Sequence, residues 1–182
     1  MEKKRFTLSI FTENTVGLTT RLTLIFTRRK INIESLTTSA SEIDHVHRFT
    51  VVFYGDEVMA EKVRKQIEKQ IDVIKCYCYQ DDEIIYQEIA LYKVSTVGLH
   101  SGNEVERIVR QHGARILAAR PEHLIIEKTG HEHETHELYD QLKPFGLLQF
   151  ARSGRIALTQ ERQDVSTILK EFDQKKAAEL VS

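Results

Sequence analysis

Twice along this chain the hydrophobic period changes from 2 to 3.6 and back, each time in the same order. Apolar and polar residues alternate through "RFTLSIF", and the spacing then shifts to Leu18, Leu22, Ile25 and Phe26. A period of 2 buries one face of a strand, and a period of 3.6 buries one stripe of a helix. The period returns to 2 in "INIESLTTS" and "VHRFTVVFY", joined by the polar "SEIDH", with His47, Phe49, Val51 and Phe53 on one face. Gly55-Asp56 breaks the run, and Met59, Val63 and Ile67 mark a second helix. "DVIKCYCYQ" closes the unit with Ile74, Cys76 and Cys78 together.

That order, β-α-β-β-α-β, specifies a ferredoxin-like unit with both helices on one face of an antiparallel sheet. It begins again after "QDDE". "IIYQEIALYKVS" reads as a strand and "SGNEVERIVRQHG" as a helix, with Ser101 and Glu104 spaced as a capping box and Gly113 at the C-terminal stop. "ARILAAR" and "HLIIEKT" turn at Pro121-Glu122, "HEHETHELYDQLKPFG" is a helix stopped at Pro144-Phe145-Gly146, and "LLQFARSGRIALT" is the last strand with a continuation. The expected fold class is therefore α+β, with one domain over residues 1–80, a second over 84–160, and a helical tail over 161–182. In the tail, Val165, Ile168, Leu169 and Phe172 carry the helical spacing. The halves share an order of elements and few identities.

Composition narrows the function classes. A formal net charge of −1 gives no basic footprint for nucleic acid. "EKKR" and "RRK" are short runs without interleaved aromatics. No apolar run approaches the roughly 18–20 residues that span a bilayer, and the N-terminal run alternates as a strand does, unlike a signal peptide. Cys76 and Cys78 stand two residues apart on a strand, about 6.6 Å, too far for an easy disulfide. Reduced core cysteines and a cytoplasmic location are the expectation. No nucleophile elbow, phosphate-binding glycine loop or apolar carboxylate pair is present, so catalysis is not expected.

One stretch is built for binding. "ENTVGL" leaves a strand and enters a helix through a small polar loop with one glycine. The first N–H groups of a helix have no partner within it, and with the positive end of the dipole they hold a carboxylate or phosphate. Gly17 permits close approach to the backbone, and Asn14 offers a donor and an acceptor. Asn32 opens the next strand and is expected beside the end of the first, within reach of the same ligand. A plain turn and cap explains the same residues without any ligand.

The segment "ENTVGLTTRLTLIFTRRKINIESLTTS" resembles the ACT domain of the small, regulatory subunit of acetolactate synthase (acetohydroxyacid synthase). Glu13, Asn14, Gly17, Leu18, Arg21, Phe26 and Asn32 to Thr37 carry the family pattern. The resemblance runs on through Gly55–Glu57, "IEKQIDVIKC", "EIALYKV" and "FARSGRIALT", covering roughly residues 4–160. Lys30 departs from it, standing where the family usually has a glycine. The resemblance implies a non-catalytic subunit that raises the activity of a large catalytic partner and confers feedback inhibition, most often by valine. It implies an effector site of Asn14, Thr15, Val16, Gly17, Leu18, Asn32 and Ile33, and a homodimer. It implies no cofactor in this chain, with thiamine diphosphate, Mg and FAD on the partner alone. A free-standing ACT-like sensor of another enzyme or of transcription is the alternative reading.

"HEHETHE" has no counterpart in that family pattern. On a helix His133 and Glu137 are neighbours while His131 and His133 point apart, so at most two ligands share a face and a solvated face is expected in place of a metal site.

Overall fold

The computed structural model describes residues 3–96 and 104–162, with positions 164, 166, 169, 170 and 173 beyond them. The expected capping box at Ser101 lies outside the described residues, as do Val165, Ile168 and Phe172 of the tail stripe. The described tail positions Ser166, Leu169, Lys170 and Asp173 are helical.

The chain forms two compact units: the described residues of Met1–Ile85 with those of Ala157–Ser182, and Tyr86–Ile156. The chain from Ala157 groups with the first unit. There its backbone is held: Arg48 donates to the Ala157 carbonyl at 2.6 Å, and the Gln160 N–H donates to the Glu83 carbonyl at 3.1 Å.

The first unit runs β1 (Lys4–Glu13), α1 (Leu18–Arg28), β2 (Ile33–Ala40), β3 (Val46–Gly55), α2 (Glu57–Glu68) and β4 (Val73–Tyr79), with sheet order β2-β3-β1-β4 and every pair antiparallel. Leu8, Ile10, Val51 and Phe53 point from the sheet toward Leu22 and Phe26 of α1 and Ala60, Val63 and Ile67 of α2. Met59, expected in the α2 stripe, only packs at the margin, and Ala60 takes the buried position. A bulge does the same on β4. The register moves from Phe11↔Lys75 to Thr12↔Val73, skipping Ile74, so Val73 enters the core where alternation expected Ile74.

α1 ends in a Schellman turn. The Lys30 N–H donates to the Thr27 carbonyl and the Ile31 N–H to the Phe26 carbonyl, both at 3.0 Å, with Lys30 at φ 56. A lysine thus holds the left-handed position that glycine takes without steric cost.

The second unit contains β5 (Ile84–Ser95, shared at its start with the first), α3 (Glu104–Gln111), β6 (Arg115–Ala119), β7 (His123–Gly130), α4 (Glu132–Leu142) and β8 (Leu147–Arg152). The strand order is β6-β7-β5-β8, and β9 (Ile156–Thr159) pairs β5. Tyr92, Val94 and Ile126 pack on Ile108 and Val109 of α3 and on Leu138 and Leu142 of α4. The buried Tyr92 hydroxyl donates to the Thr135 carbonyl at 2.6 Å, and burial pushes its pKa up. Two ferredoxin-like α+β units, as expected, make up the described chain.

Candidate functional site at the start of the first helix

The loop between β1 and α1 is tied at its base and open at its tip. The Glu13 N–H donates to the Asp72 carbonyl at 2.9 Å and the Asn14 N–H to the His45 carbonyl at 3.0 Å. Asn14, Thr15 and Gly17 are exposed, Val16 is 100% exposed, and Leu18 is buried as the first core residue of α1. Gly17 takes φ 82, and a Cβ built on it meets nothing within 4 Å. The glycine is there for its backbone angle, with open space in front of it.

No side chain caps α1, and its first turn holds no acidic residue. The starts of α2 and α4 are closed by side chains. Asp56 accepts from the Met59 N–H at 2.7 Å at the start of α2, and Glu134 accepts from the His131 N–H at 2.6 Å at the start of α4. The first N–H groups of a helix have no partner within it, and those of α1 stand beside an exposed asparagine, an arrangement that receives an anion, although the Leu18 N–H is turned back to the Thr15 carbonyl at 3.3 Å. One turn on, Arg21 forms an ion pair with Asp72, so the cation there is already matched. Asp72 and His45 secure the loop through backbone carbonyls, contacts that carry no signal in a residue pattern.

Asn32 and Ile33 stand at the other end of the sheet, a correction to the expected placement. Ile33 pairs with Phe53 and Phe53 with Phe6, whereas the loop follows Glu13, which pairs with Val46. Seven residues of strand separate the two levels, roughly 23 Å. Parallel strands joined by a helix begin at the same end of a sheet, so β2 starts where β1 starts. Within one chain Asn14 to Leu18 come together and Asn32 does not join them. Asn32 instead lines a cavity of about 310 Å³ with Lys30, Glu34, Tyr54, Asp56 and Met59.

The histidine segment is set by its cap. His131 is the extended N-cap of α4, so its ring lies 5.7 Å from that of His133, where helical spacing expected them apart, and 4.3 Å from Tyr86. His136 lies 3.8 Å from Asp140. Among the described residues no group of three or more His, Cys, Asp or Glu is placed to hold a metal ion. No described helix is long and apolar enough to cross a membrane.

Periodicity gave no sign of the buried charge cluster in "FARSGR". Arg155 is 2% exposed and its guanidinium lies 3.8 Å over the Tyr86 ring, near Glu88. Arg152 reaches Glu88 at 3.3 Å and Glu132 at 2.9 Å.

A βαββαβ unit with an open, glycine-entered helix start, followed by a second unit of the same order, defines an ACT-domain protein. Residues 8–75 match the family model described as the AHAS small subunit-like ACT domain, and residues 87–161 that of the small subunit of acetolactate synthase. The acetolactate synthase small subunit of Mycobacterium bovis is 33% identical over 167 residues, which cover 92% of this chain and 99% of that one. The probable acetolactate synthase small subunit of Archaeoglobus fulgidus is 32% identical, covering 85% of this chain and 96% of that one. The crystal structure of the acetolactate synthase small subunit from Thermotoga maritima superposes with a TM-score of 0.80 at 25% identity, covering 88% and 99% of the two chains. This chain belongs to the acetolactate synthase small-subunit family.

Proposed function

We propose that this chain is the regulatory subunit of an acetolactate synthase: it binds the catalytic large subunit, raises its activity and confers feedback inhibition by a branched-chain amino acid, with valine the first candidate. The observation that carries the effector site is the uncapped start of α1, with Gly17 left-handed and open space before it. An amino acid suits that place. Its carboxylate takes the first N–H groups of α1, its ammonium the Asn14 side-chain oxygen or a strand carbonyl, and its side chain an apolar wall that includes Val16. The reaction, with its thiamine diphosphate, Mg and FAD, belongs to the catalytic partner.

A homodimer supplies what one chain lacks. β2 is an edge strand whose only charged residue is Glu34, the kind of edge that pairs with another strand. Antiparallel pairing of two copies of β2 about a two-fold axis sets residue 33 opposite residue 40. Ala40 pairs with His47, at the loop's end of the sheet. Asn32 of the partner subunit then arrives at the end that carries Asn14 to Leu18, and the seven candidate residues assemble from two chains.

Acetolactate formation by the reconstituted complex, with and without valine, tests the proposal. Gly17→Asp sets a negative side chain where the carboxylate is placed and removes valine inhibition, while activation of the large subunit persists. Asp also strains at a positive φ, so the variant is first shown to be folded and dimeric. Full valine sensitivity in such a variant moves the site elsewhere. Valine at a hundredfold excess over its dissociation constant stabilises the wild-type chain by about 2.7 kcal/mol. A flat thermal-shift screen of all twenty amino acids overturns the effector reading.

A further inference from the structure

The last residue of β1 that points toward the helices is Thr12. The strand period places it on the face of Leu8 and Ile10, and it lies between His47 of β3 and Val73 of β4. Thr12 is 0% exposed, and its Oγ1 has no hydrogen-bond partner. Two other buried hydroxyls are satisfied: Ser9 accepts from Arg48 at 3.1 Å, and Thr135 donates to the Glu132 carbonyl at 2.9 Å. Thr37 Oγ1 is also unpartnered, but Thr37 is only half-buried, on the edge strand β2. A buried polar atom without a partner is destabilising, and valine has the same shape without the hydroxyl. The equivalent positions of β1 are apolar, Phe6, Leu8 and Ile10, so packing alone gives no reason for a threonine at the fourth.

The orphan hydroxyl lies at the start of α1. Asn14 opens the loop two residues on, and Leu18 of the first helical turn packs into the same core as Ile10 and Val73. The β1–β4 register shifts between Phe11 and Thr12, and a bulge beside a site re-aims the side chains around it. Asn14, Thr15, Val16 and Gly17 are exposed, so no side chain of these four has to leave the core for a ligand to enter. An α-amino acid held by a helix start meets donors only, which suit its carboxylate. Its ammonium group has three donors of its own and needs acceptors, and a threonine oxygen is one.

We propose, on the reading that the α1 start holds the effector, that Thr12 Oγ1 accepts a hydrogen bond from the effector's ammonium group when the loop lifts to admit it. This contact selects a free α-amino acid over the same carbon skeleton without the amino group. The unpaired hydroxyl is then a stability loss kept for recognition, as sites built for ligands often show.

Inhibition of the reconstituted complex by valine and by 3-methylbutanoate, which is valine without its amino group, tests it. The wild-type complex responds to valine at a lower concentration than to 3-methylbutanoate. Thr12→Val raises the half-inhibitory concentration of valine about tenfold, the effect of losing one hydrogen bond to a charged group. It leaves that of 3-methylbutanoate unchanged, so the ratio between the two shrinks, and Thr12→Ser, which keeps the hydroxyl, restores it. A Thr12→Val chain with a raised Tm and the wild-type ratio intact overturns the proposal, because the hydroxyl is then structural only. The comparison with Gly17→Asp separates two kinds of failure. If folded, dimeric Gly17→Asp loses the valine response while Thr12→Val keeps the wild-type ratio, the role of Thr12 alone is overturned. If Gly17→Asp also keeps full valine sensitivity, the effector reading of the α1 start falls as well.

Discussion

In the first unit the sheet face away from the helices is closed: Thr7, Ser9, Phe11, Thr50 and Val52 are each 4% exposed or less. The corresponding face of the second unit leaves Ile89 and Leu91 open. Each unit also sets an arginine against an aromatic ring. Arg48 stands 5.1 Å over Phe11, half-buried, donating to Ser9 at 3.1 Å and to a carbonyl. Arg155 stands 3.8 Å over Tyr86, fully buried beside Glu88. One order of elements thus supports a closed face with a surface arginine and an open face with a buried one. Topology fixes where a face lies, and the residues on it decide what it meets.

The arginines give the largest expected contrast. Arg155→Met takes a buried cation away from Glu88 and from the Tyr86 ring and costs about 3 kcal/mol, since removing one partner of a buried pair is strongly destabilising. Arg48→Met exchanges hydrogen bonds at a partly solvated site for apolar contact and costs about 1 kcal/mol. Urea unfolding followed by circular dichroism measures both, and equal losses would erase the distinction.

Helix starts sharpen the comparison next. Asp56→Ala removes the α2 cap and costs about 1 kcal/mol. Asn14→Ala and Thr15→Ala remove no cap from α1 and change stability by less than about 0.5 kcal/mol, although Asn14→Ala weakens the valine response. A large stability loss at either position would show that the loop is structural after all.

At the other end of α1, Lys30→Gly relieves a lysine at φ 56 and raises stability by about 0.5–1 kcal/mol, read as a higher Tm. The gain disappears if the Schellman turn does not form in solution.

Acid acts on both units: in the first, a hydrogen bond from Arg64 holds the Glu61 carboxyl down to about 2. In the second, a hydrogen bond from Thr129, then one from Arg115, holds the Glu127 carboxyl below its ordinary 4.5, and the His131 N–H does the same for Glu134. Both carboxyls have a lowered folded-state pKa, so their contribution is complete above pH 4.5 and is lost as pH falls below it. Stability measured from pH 6 to pH 3 falls less in Glu134→Gln than in wild type. Identical slopes would remove Glu134 from the account.

Periodicity made most of the fold legible. Leu18, Leu22, Ile25 and Phe26 form the buried face of α1 as their spacing requires, and Phe49, Val51 and Phe53 share the inner face of β3. Gly17 and Gly113 take positive φ where the sequence places turns. Local rules suffice at these positions because each element buries one face. They fail where a neighbour resets the count: a bulge opposite Phe11 put Val73 in place of Ile74, and the extended cap at His131 turned its ring toward His133.

By itself the sequence determined the order of elements, the apolar faces, the glycine at the mouth of α1 and the family, since all of these rest on short-range spacing and residue identity. Only the tertiary structure decided which residues meet. It placed Asn32 at the far end of the sheet from Asn14, returned Ala157 to the first unit, and buried Arg155 against Tyr86. Those pairings depend on strand order and register, and contacts between residues far apart in the chain leave no periodic trace.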